Sequence, residues 1–352
     1  MKKILVLVLA FVLIFGMIGC GGGDADVDAG GYDIAMITDL GSIDDKSFNQ
    51  GTWEGIVAYA EENDITHKYY KPTEQSTDAY LAAIQLAVEG GAKIVVTPGY
   101  LFEEPVTLAQ DLYPKVNFIL VDGYPTVTND NTVGIKYAEE QSGYLAGYAA
   151  VIEGYTKLGF MGGLAVPAVV RFGYGFAQGA EAAAAELGVA SIDLKYHYTG
   201  GFEATPEAKA LAASWYADGI EVVFACGGAV GNSVMAAAAD ADGKVIGVDV
   251  DQSSESDTVI TSAMKGLAAS VQSALAEYYD GNFPGGESLV YAADKGGVQL
   301  PMDTSKFEVF TQDDYDRVYA KLADGAIKLQ NDNDVTAANM LDLSIVKVTL
   351  VE

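Results

Sequence analysis

Asp33-Ile34-Ala35-Met36-Ile37-Thr38 is a short apolar run, and Asp39-Leu40-Gly41-Ser42-Ile43-Asp44-Asp45-Lys46-Ser47-Phe48-Asn49-Gln50 follows it directly. The run suits a strand covered on both faces, because its apolar residues are continuous rather than alternating. Over residues 47–62 the period changes. Trp53, Ile56, Val57 and Ala60 fall at i, i+3, i+4 and i+7, which places them on one helix face. Strand, polar loop and helix form the opening of a β-α-β unit.

The chain repeats this unit. Further strands are predicted at 93–98, 116–122, 157–162, 192–198, 221–226 and 244–249, all rich in Val, Ile and Phe. Helices are predicted near 76–90, 137–154, 174–187, 205–218, 230–241, 266–280 and 314–330. Such alternation implies parallel sheets with right-handed crossovers. A single core stops growing near about 250–300 residues, so a chain of 352 residues suits two open sheets. The first changeover between them is expected near 123–129, where turn residues follow a strand. A second is expected after 249–256.

The start of the chain is expected to lie outside the fold. Lys2 and Lys3 precede an apolar stretch at 4–18 that ends in Gly19-Cys20. This is the pattern of a secretory signal peptide, residues 1–19. The stretch is shorter than the roughly 20 residues that cross a bilayer. Gly19-Cys20 resembles a bacterial lipobox, which implies lipidation at Cys20. The Gly, Asp and Ala of 20–31 then read as a flexible tether. The expected location is the outer face of the bacterial cell membrane, or the periplasm. Cys226 is the only other cysteine, so no disulfide framework exists. Its apolar surroundings predict a buried, inert thiol.

Charge and residue usage exclude several functions. The formal net charge of -29 argues against nucleic acid as a partner, which requires clustered Lys and Arg. His67 and His197 are the only histidines, and neither neighbours a metal-spaced cluster. No Gly-x-Ser-x-Gly elbow occurs. No enzyme, no cofactor and no metal site is expected. Asp249-x-Asp251 and Asp44-Asp45 have the chemistry to meet a cation, but solvated or hydroxyl-binding carboxylates are commoner.

Ligands of open parallel sheets sit at the carboxyl ends of the strands. The segments there are 39–50, Gly99-Tyr100, Asp122-Gly123-Tyr124, Gly162-Gly163, Gly200-Gly201-Phe202, Gly227-Gly228 and Asp249-Val250-Asp251-Gln252. Polar groups, rings and glycines recur, as a cleft for a flat polar ligand requires. Each has a plainer reading. Asp44 or Asp45 can cap a helix, Phe48 can belong to the core, and Asp122-Gly123 can be a turn. Gly227-Gly228 can merely accommodate the backbone. Arg171 reads as a surface or hinge charge.

Asp45-Lys46-Ser47-Phe48-Asn49-Gln50, followed by Gly55, resembles the opening motif of the basic membrane protein family of solute-binding lipoproteins, which includes purine-nucleoside receptors of ABC transporters. Further matches follow in order: residues 118–122, Leu145-Ala146-Gly147, Gly175-Phe176 with Gln178-Gly179, Gly247-Val248-Asp249-Val250-Asp251-Gln252, and Thr261-Ser262 with Met264-Lys265. The resemblance implies an α/β, type I periplasmic-binding-protein fold with two doubly wound parallel-sheet lobes joined by a hinge. Lobe 1 would hold 32–126 and 252–283, and lobe 2 would hold 127–251 and 284–352. It also implies roles. Phe48 and Phe202 would sandwich a base, and Asn49 and Asp122 would bond its edge. Asp249 would accept from ribose hydroxyls, Lys265 would donate to the sugar, and the Gly228 backbone would approach it. The expected partners are a nucleoside, purine preferred, an ABC transporter permease and the membrane through the lipid anchor. A monomer is expected. A sugar or another small polar ligand on the same scaffold is the alternative.

Overall fold

The computed structural model describes residues 31–39, 41–123 and 128–351. The signal peptide, Cys20, the tether up to Gly30 and the expected lobe boundary at 126/127 lie outside the described residues.

Six strands build the first sheet. Along the chain they are β1 (Ile34–Ile37), β2 (His67–Tyr70), β3 (Ile94–Pro98), β4 (Asn117–Val121), β5 (Thr132–Tyr137) and, much later, β11 (Ser288–Tyr291). Between β5 and β11 come β6 (Lys157–Gly162), β7 (Ile192–Tyr198), β8 (Val222–Cys226), β9 (Lys244–Asp249) and β10 (Val259–Lys265). With β12 (Val298–Gln299) and β13 (Val346–Leu350) these form the second sheet. The orders are β11-β5-β4-β3-β1-β2 and β12-β10-β9-β8-β6-β7-β13. All pairings are parallel except β10 with β12.

The helices are α1 (Phe48–Glu62), α2 (Thr77–Glu89), α3 (Glu103–Leu112), α4 (Glu139–Ile152), α5 (Pro167–Leu187), α6 (Pro206–Ala217), α7 (Val230–Ala241), α8 (Leu267–Tyr279) and α9 (Gln312–Ala323). They cover both faces of each sheet, which is why the strands are apolar throughout. Successive residues of a strand point to opposite faces. In the first sheet Val95, Phe118 and Leu120 join the core under α2 and α3, with Ile84 and Val106. Ile94, Val96, Ile119 and Val121 join the opposite core, with Ile56 of α1 and Val271 of α8. In the second sheet Val223 and Ala225 meet Trp215 of α6 and Val234 of α7.

The expected lobe boundaries need correction. β5 pairs with β4 and belongs to the first sheet, whereas β10 pairs with β9 and belongs to the second. β11 returns to the first sheet beside β5. The chain therefore crosses after Tyr137, after Lys265 and after Tyr291, each one strand later than expected. The physical reason lies in the pairing. Asp122 N–H donates to the Ile135 carbonyl at 2.7 Å, so the turn after β4 folds back onto β5 rather than leaving the sheet. The three crossings are bonded to one another. Ala138 N–H donates to the Tyr291 carbonyl at 3.1 Å, and Gly266 N–H to the Gly297 carbonyl at 2.9 Å. Tyr137 and Ser270 share a hydroxyl–hydroxyl bond across two of them.

Four glycines explain how α4 and α5 approach so closely. A Cβ on Gly143 or Gly147 would run into the carbonyls of Phe172 and Phe176. One on Gly175 or Gly179 would run into those of Glu140 and Tyr144. The two helices touch backbone to backbone, which only Gly permits. Gly55 does the same for α1, where a Cβ would lie 2.7 Å from Cα of Ala268 in α8.

Candidate functional site

The loop between β1 and α1 is organised by one carboxylate. Asp45 Oδ1 accepts from the backbone N–H of Ser47 at 2.8 Å and of Gln50 at 3.1 Å. Its Oδ2 accepts from Asn49 N–H at 3.0 Å and from Asn49 Nδ2 at 2.9 Å. Asp45 thus satisfies the first free amides of α1, the capping role open to it from sequence. Asp44 faces solvent and takes the Ser42 hydroxyl. Asn49 Nδ2 also donates to Asp39 Oδ1 at 2.9 Å. Burial pushes Asp39 up to about 6, against the Gly41 N–H and Asn49 amide that favour its anion, with Asp45 nearby adding to the rise.

Lys265, at the end of β10, is the polar centre of the seam between the sheets. Its ammonium contacts Asp122 Oδ2 at the end of β4 and Asp249 Oδ1 at 3.1 Å at the end of β9. It also lies 4.4 Å from the centre of the Phe48 ring. The Lys265 side chain is 3% exposed. Burial alone would lower its pKa, but Asp122, Asp249 and Glu139 together raise it above the ordinary value, so it carries its charge. Burial pushes Asp122 the other way, up, and Lys265 pulls it back. Both acids sit in the left-handed region, with φ of 61° at Asp122 and 68° at Asp249. Asp tolerates this better than most residues, at a cost of roughly 1–2 kcal/mol. The strain turns each carboxylate off the end of its strand and into the seam.

Phe202 lies in the loop after β7, in the second lobe. A Cβ on Gly163 would lie 2.5 Å from its ring. Gly228 follows β8 at φ 54°, with the Phe202 carbonyl beside it. Val166, Val169 and Phe172, at the start of α5, supply an apolar wall.

These groups enclose a cavity of about 370 Å³. All seven expected site residues line it: Phe48, Asn49, Asp122, Phe202, Gly228, Asp249 and Lys265. Phe48 comes from the first lobe and Phe202 from the second. Two atoms in this wall are buried without a partner, Oδ1 of Asn49 and Oδ1 of Asp122.

Sequence reasoning missed part of the lining. Asp39, Phe172 and Val169 also face the cavity, and so does Cys226, whose buried thiol is pushed well above its ordinary pKa by desolvation. Pro167 was the available signal for the α5 residues. Proline at the first helical position marks a start, seven residues before the expected one at 174.

Arg171 is not a surface charge. Its side chain is 14% exposed and pairs with Glu139 at 3.1 Å, beside the first crossing, and with Asp332 at 2.7 Å. Burial pushes Glu139 up to about 8, and Asp122 adds to this while Arg171 opposes it. The two histidines stand apart from the cavity. His67 packs near Trp53, and His197 Nδ1 meets the Val351 carbonyl at 2.8 Å. Asp251 accepts from Thr304 and its neighbour Ser253. Among the described residues no cluster of His, Cys, Asp and Glu could hold a metal. No described helix is long and apolar enough to cross a membrane.

Comparison with known proteins gives a consistent result. The family model described as "ABC transporter substrate-binding protein PnrA-like" matches residues 33–332. An "ABC transporter nucleoside-binding protein BmpA" from Lactococcus lactis subsp. cremoris is 30% identical, covering 88% of this chain and 94% of its own. A solute-binding protein of an ABC transporter system from Aeropyrum pernix K1 superposes with a TM-score of 0.78 at 20% identity, over 88% of this chain and 95% of that one. Another from Conexibacter woesei gives 0.69 at 24% identity, over 85% and 99%. At such identities the structures speak for the fold alone, the type I periplasmic architecture of two parallel-sheet lobes.

Proposed function

The chain belongs to the Bmp family of PnrA-like ABC transporter substrate-binding proteins, which are not enzymes, and from that premise we propose that its cleft captures nucleosides, purine nucleosides preferred. The family role is extracytoplasmic and implies a small-molecule ligand and a permease partner.

One observation carries the nucleoside reading. Two phenyl rings, Phe48 and Phe202, reach a single cavity from opposite lobes, and the nearly enclosed side chains of Asp122, Asp249 and Lys265 line the same space. A nucleoside has two aromatic faces, a polar base edge and vicinal hydroxyls. Stacking on an aromatic side chain contributes roughly 1–3 kcal/mol per base. Asp249 and Lys265 would meet the ribose hydroxyls, with the Gly228 backbone close by, and Asn49 and Asp122 would meet the base edge. The name of the Lactococcus relative supports the same ligand class.

On this reading residues 1–19 are removed and Cys20 carries the lipid that holds the receptor at the membrane, the protein acting as a monomer. Closure of the lobes over the ligand would present a changed outer surface to the permease.

Titration calorimetry with inosine, guanosine, adenosine, cytidine and ribose tests the ligand class. Saturable binding of a purine nucleoside, with ribose silent, is expected. Tight binding of ribose with no response to any nucleoside would overturn it.

A further inference from the structure

Glu139 is the first residue of α4 and directly follows the crossing at Tyr137-Ala138. Its side chain is 1% exposed. The cation it meets, Arg171 of α5, is shared. Arg171 gives Glu139 a single bond at 3.1 Å but grips Asp332 with two donors, Nε at 2.7 Å and Nη2 at 3.4 Å. Asp332 is also the better hydrated acid, its side chain 21% exposed. Lys265 of β10 favours the Glu139 anion as well, but it is held by Asp122 and Asp249. Glu140, next in α4, adds a like charge, and the Cys226 thiol at the end of β8 is neutral and adds none. Asp122, Asp249, Glu139 and Asp332 thus share Lys265 and Arg171. Glu139 is the most enclosed of the four and has the poorest share, so the neutral acid is its favoured form there.

Asp122 reaches this cluster from β4 of the first sheet, whereas Lys265, Asp249 and Arg171 stand on β10, β9 and α5 of the second lobe. Parting the lobes withdraws Asp122 and leaves both cations behind. Glu139 then loses a like charge and gains water, and each change favours its anion. We propose that Glu139 is a proton switch on closure: it holds a proton in the closed cleft and releases it to solvent as the lobes part, so that capture of a neutral ligand takes up a proton from the medium. This rests on the reading of the chain as a nucleoside receptor that closes on its ligand, and adds a dependence on pH. In the closed form the Glu139 pKa is about 8, above the ordinary 4.5 toward which a hydrated carboxyl returns. The proton therefore assists closure fully below the ordinary value, and the assistance is lost as pH rises through about 8. A ligand that binds the closed form follows the same course in its affinity.

The test is titration calorimetry of inosine into the intact mature protein at pH 7.5, in phosphate and in Tris, whose ionisation enthalpies differ. Asp39, the cavity carboxyl that titrates near about 6, is ionised at this pH. The difference in heat should correspond to uptake of about 0.5–1 proton per inosine. Affinity should fall roughly tenfold between pH 7 and pH 9. Glu139→Gln keeps an acceptor for Arg171 and cannot ionise, so uptake should vanish and affinity should become level across that range. Identical heats in the two buffers would overturn the switch and leave the nucleoside reading standing, and the wild-type protein alone decides this even where the variant folds poorly. Uptake that persists in Glu139→Gln would assign the proton to another group and overturn the switch as well. Silence from inosine and from the other nucleosides would remove both.

Discussion

Gln252 of the second lobe donates through Nε2 to the main-chain carbonyl of Lys46 in the first lobe, at 2.7 Å, while its Oε1 accepts from Val248 N–H at 3.0 Å. The two most distinctive sequence motifs of the chain are thus docked on each other. Ser47 reinforces the contact by donating to Asp249 Oδ2 at 2.5 Å. Lys46 itself sits at φ 62°, a conformation that presents its carbonyl across the seam. The motifs hold the lobes together over the cavity as well as lining it.

Replacing Gln252 with Met should therefore loosen closure without removing a cavity-lining group. One lost interlobe hydrogen bond corresponds to about 1 kcal/mol. Stopped-flow release of a bound nucleoside should quicken by roughly fivefold, with little change in association. An unchanged release rate would show that the contact does not hold the closed form.

Lys265→Met should be far more damaging. It leaves Asp122 and Asp249 buried and facing each other without their cation. Breaking a buried pair from one side costs about 3–5 kcal/mol. Chemical denaturation should register a loss of that order, together with loss of ligand binding. Adding Asp122→Asn should restore much of the stability but not the binding. A double variant no more stable than the single one would argue that repulsion between the acids is not the cause.

The α4–α5 contact gives a packing prediction. Gly147→Ala sets a methyl group against the Phe176 carbonyl in a buried interface. Overpacking of this kind costs about 1–3 kcal/mol and sometimes more. Gly231→Ala is the control, since its Cβ would find only the Met235 Cε, at 3.8 Å. Thermal unfolding should fall by several degrees in the first variant and barely move in the second.

Asp39 gives a pH prediction. Its pKa rises from 3.8 to about 6 on folding, so the folded state holds the proton more tightly. Its contribution is fully present below pH 3.8 and is lost as pH rises to about 6. A tenfold change in proton affinity corresponds to about 1.4 kcal/mol, so the effect is of the order of 3 kcal/mol. Urea titrations at pH 4, 5, 6 and 7 should show Asp39→Asn gaining on the wild type as pH rises across this range. A pH-independent difference between the two would rule this carboxyl out as the source.

Much of the fold was legible because parallel strands buried on both faces are apolar throughout. The spans 157–162, 192–198 and 244–249 coincide with strands of the structure. The strands that escaped lack that signature. His67–Tyr70 is a half-exposed edge with no apolar run. Thr132–Tyr137 is interrupted by Gly134 and Lys136. Val259–Lys265 carries Thr261 and Ser262, whose hydroxyls meet Ser305 and the Gln252 N–H inside the protein. β5, β10 and β11 are each the last strand before a crossing, so missing them moved the lobe boundaries. Helix α3 was hidden by Pro105, which sits harmlessly in its first turn.

The candidate site was legible by a different rule, that strand ends face the ligand. That rule gives the segments that hold Phe48, Asp122 and Asp249, and the family resemblance singles those residues out within them. It cannot say that Lys265 bridges two acids, because that depends on residues far apart in sequence meeting at the seam, nor that Asn49 is clamped by Asp39 and Asp45, which depends on how the 39–50 loop folds on itself.

The threefold exchange of the chain between the sheets bears on how the molecule is made. The first sheet's face lacks α8 until residue 279 has emerged and the sheet lacks its outer strand until residue 291, while the second waits for β13 at 346–350. Neither half is a contiguous module that could condense early. A truncation ahead of β11 leaves both lobes unfinished at once, and assembly of the pair is expected to be a late, concerted event rather than a stepwise one.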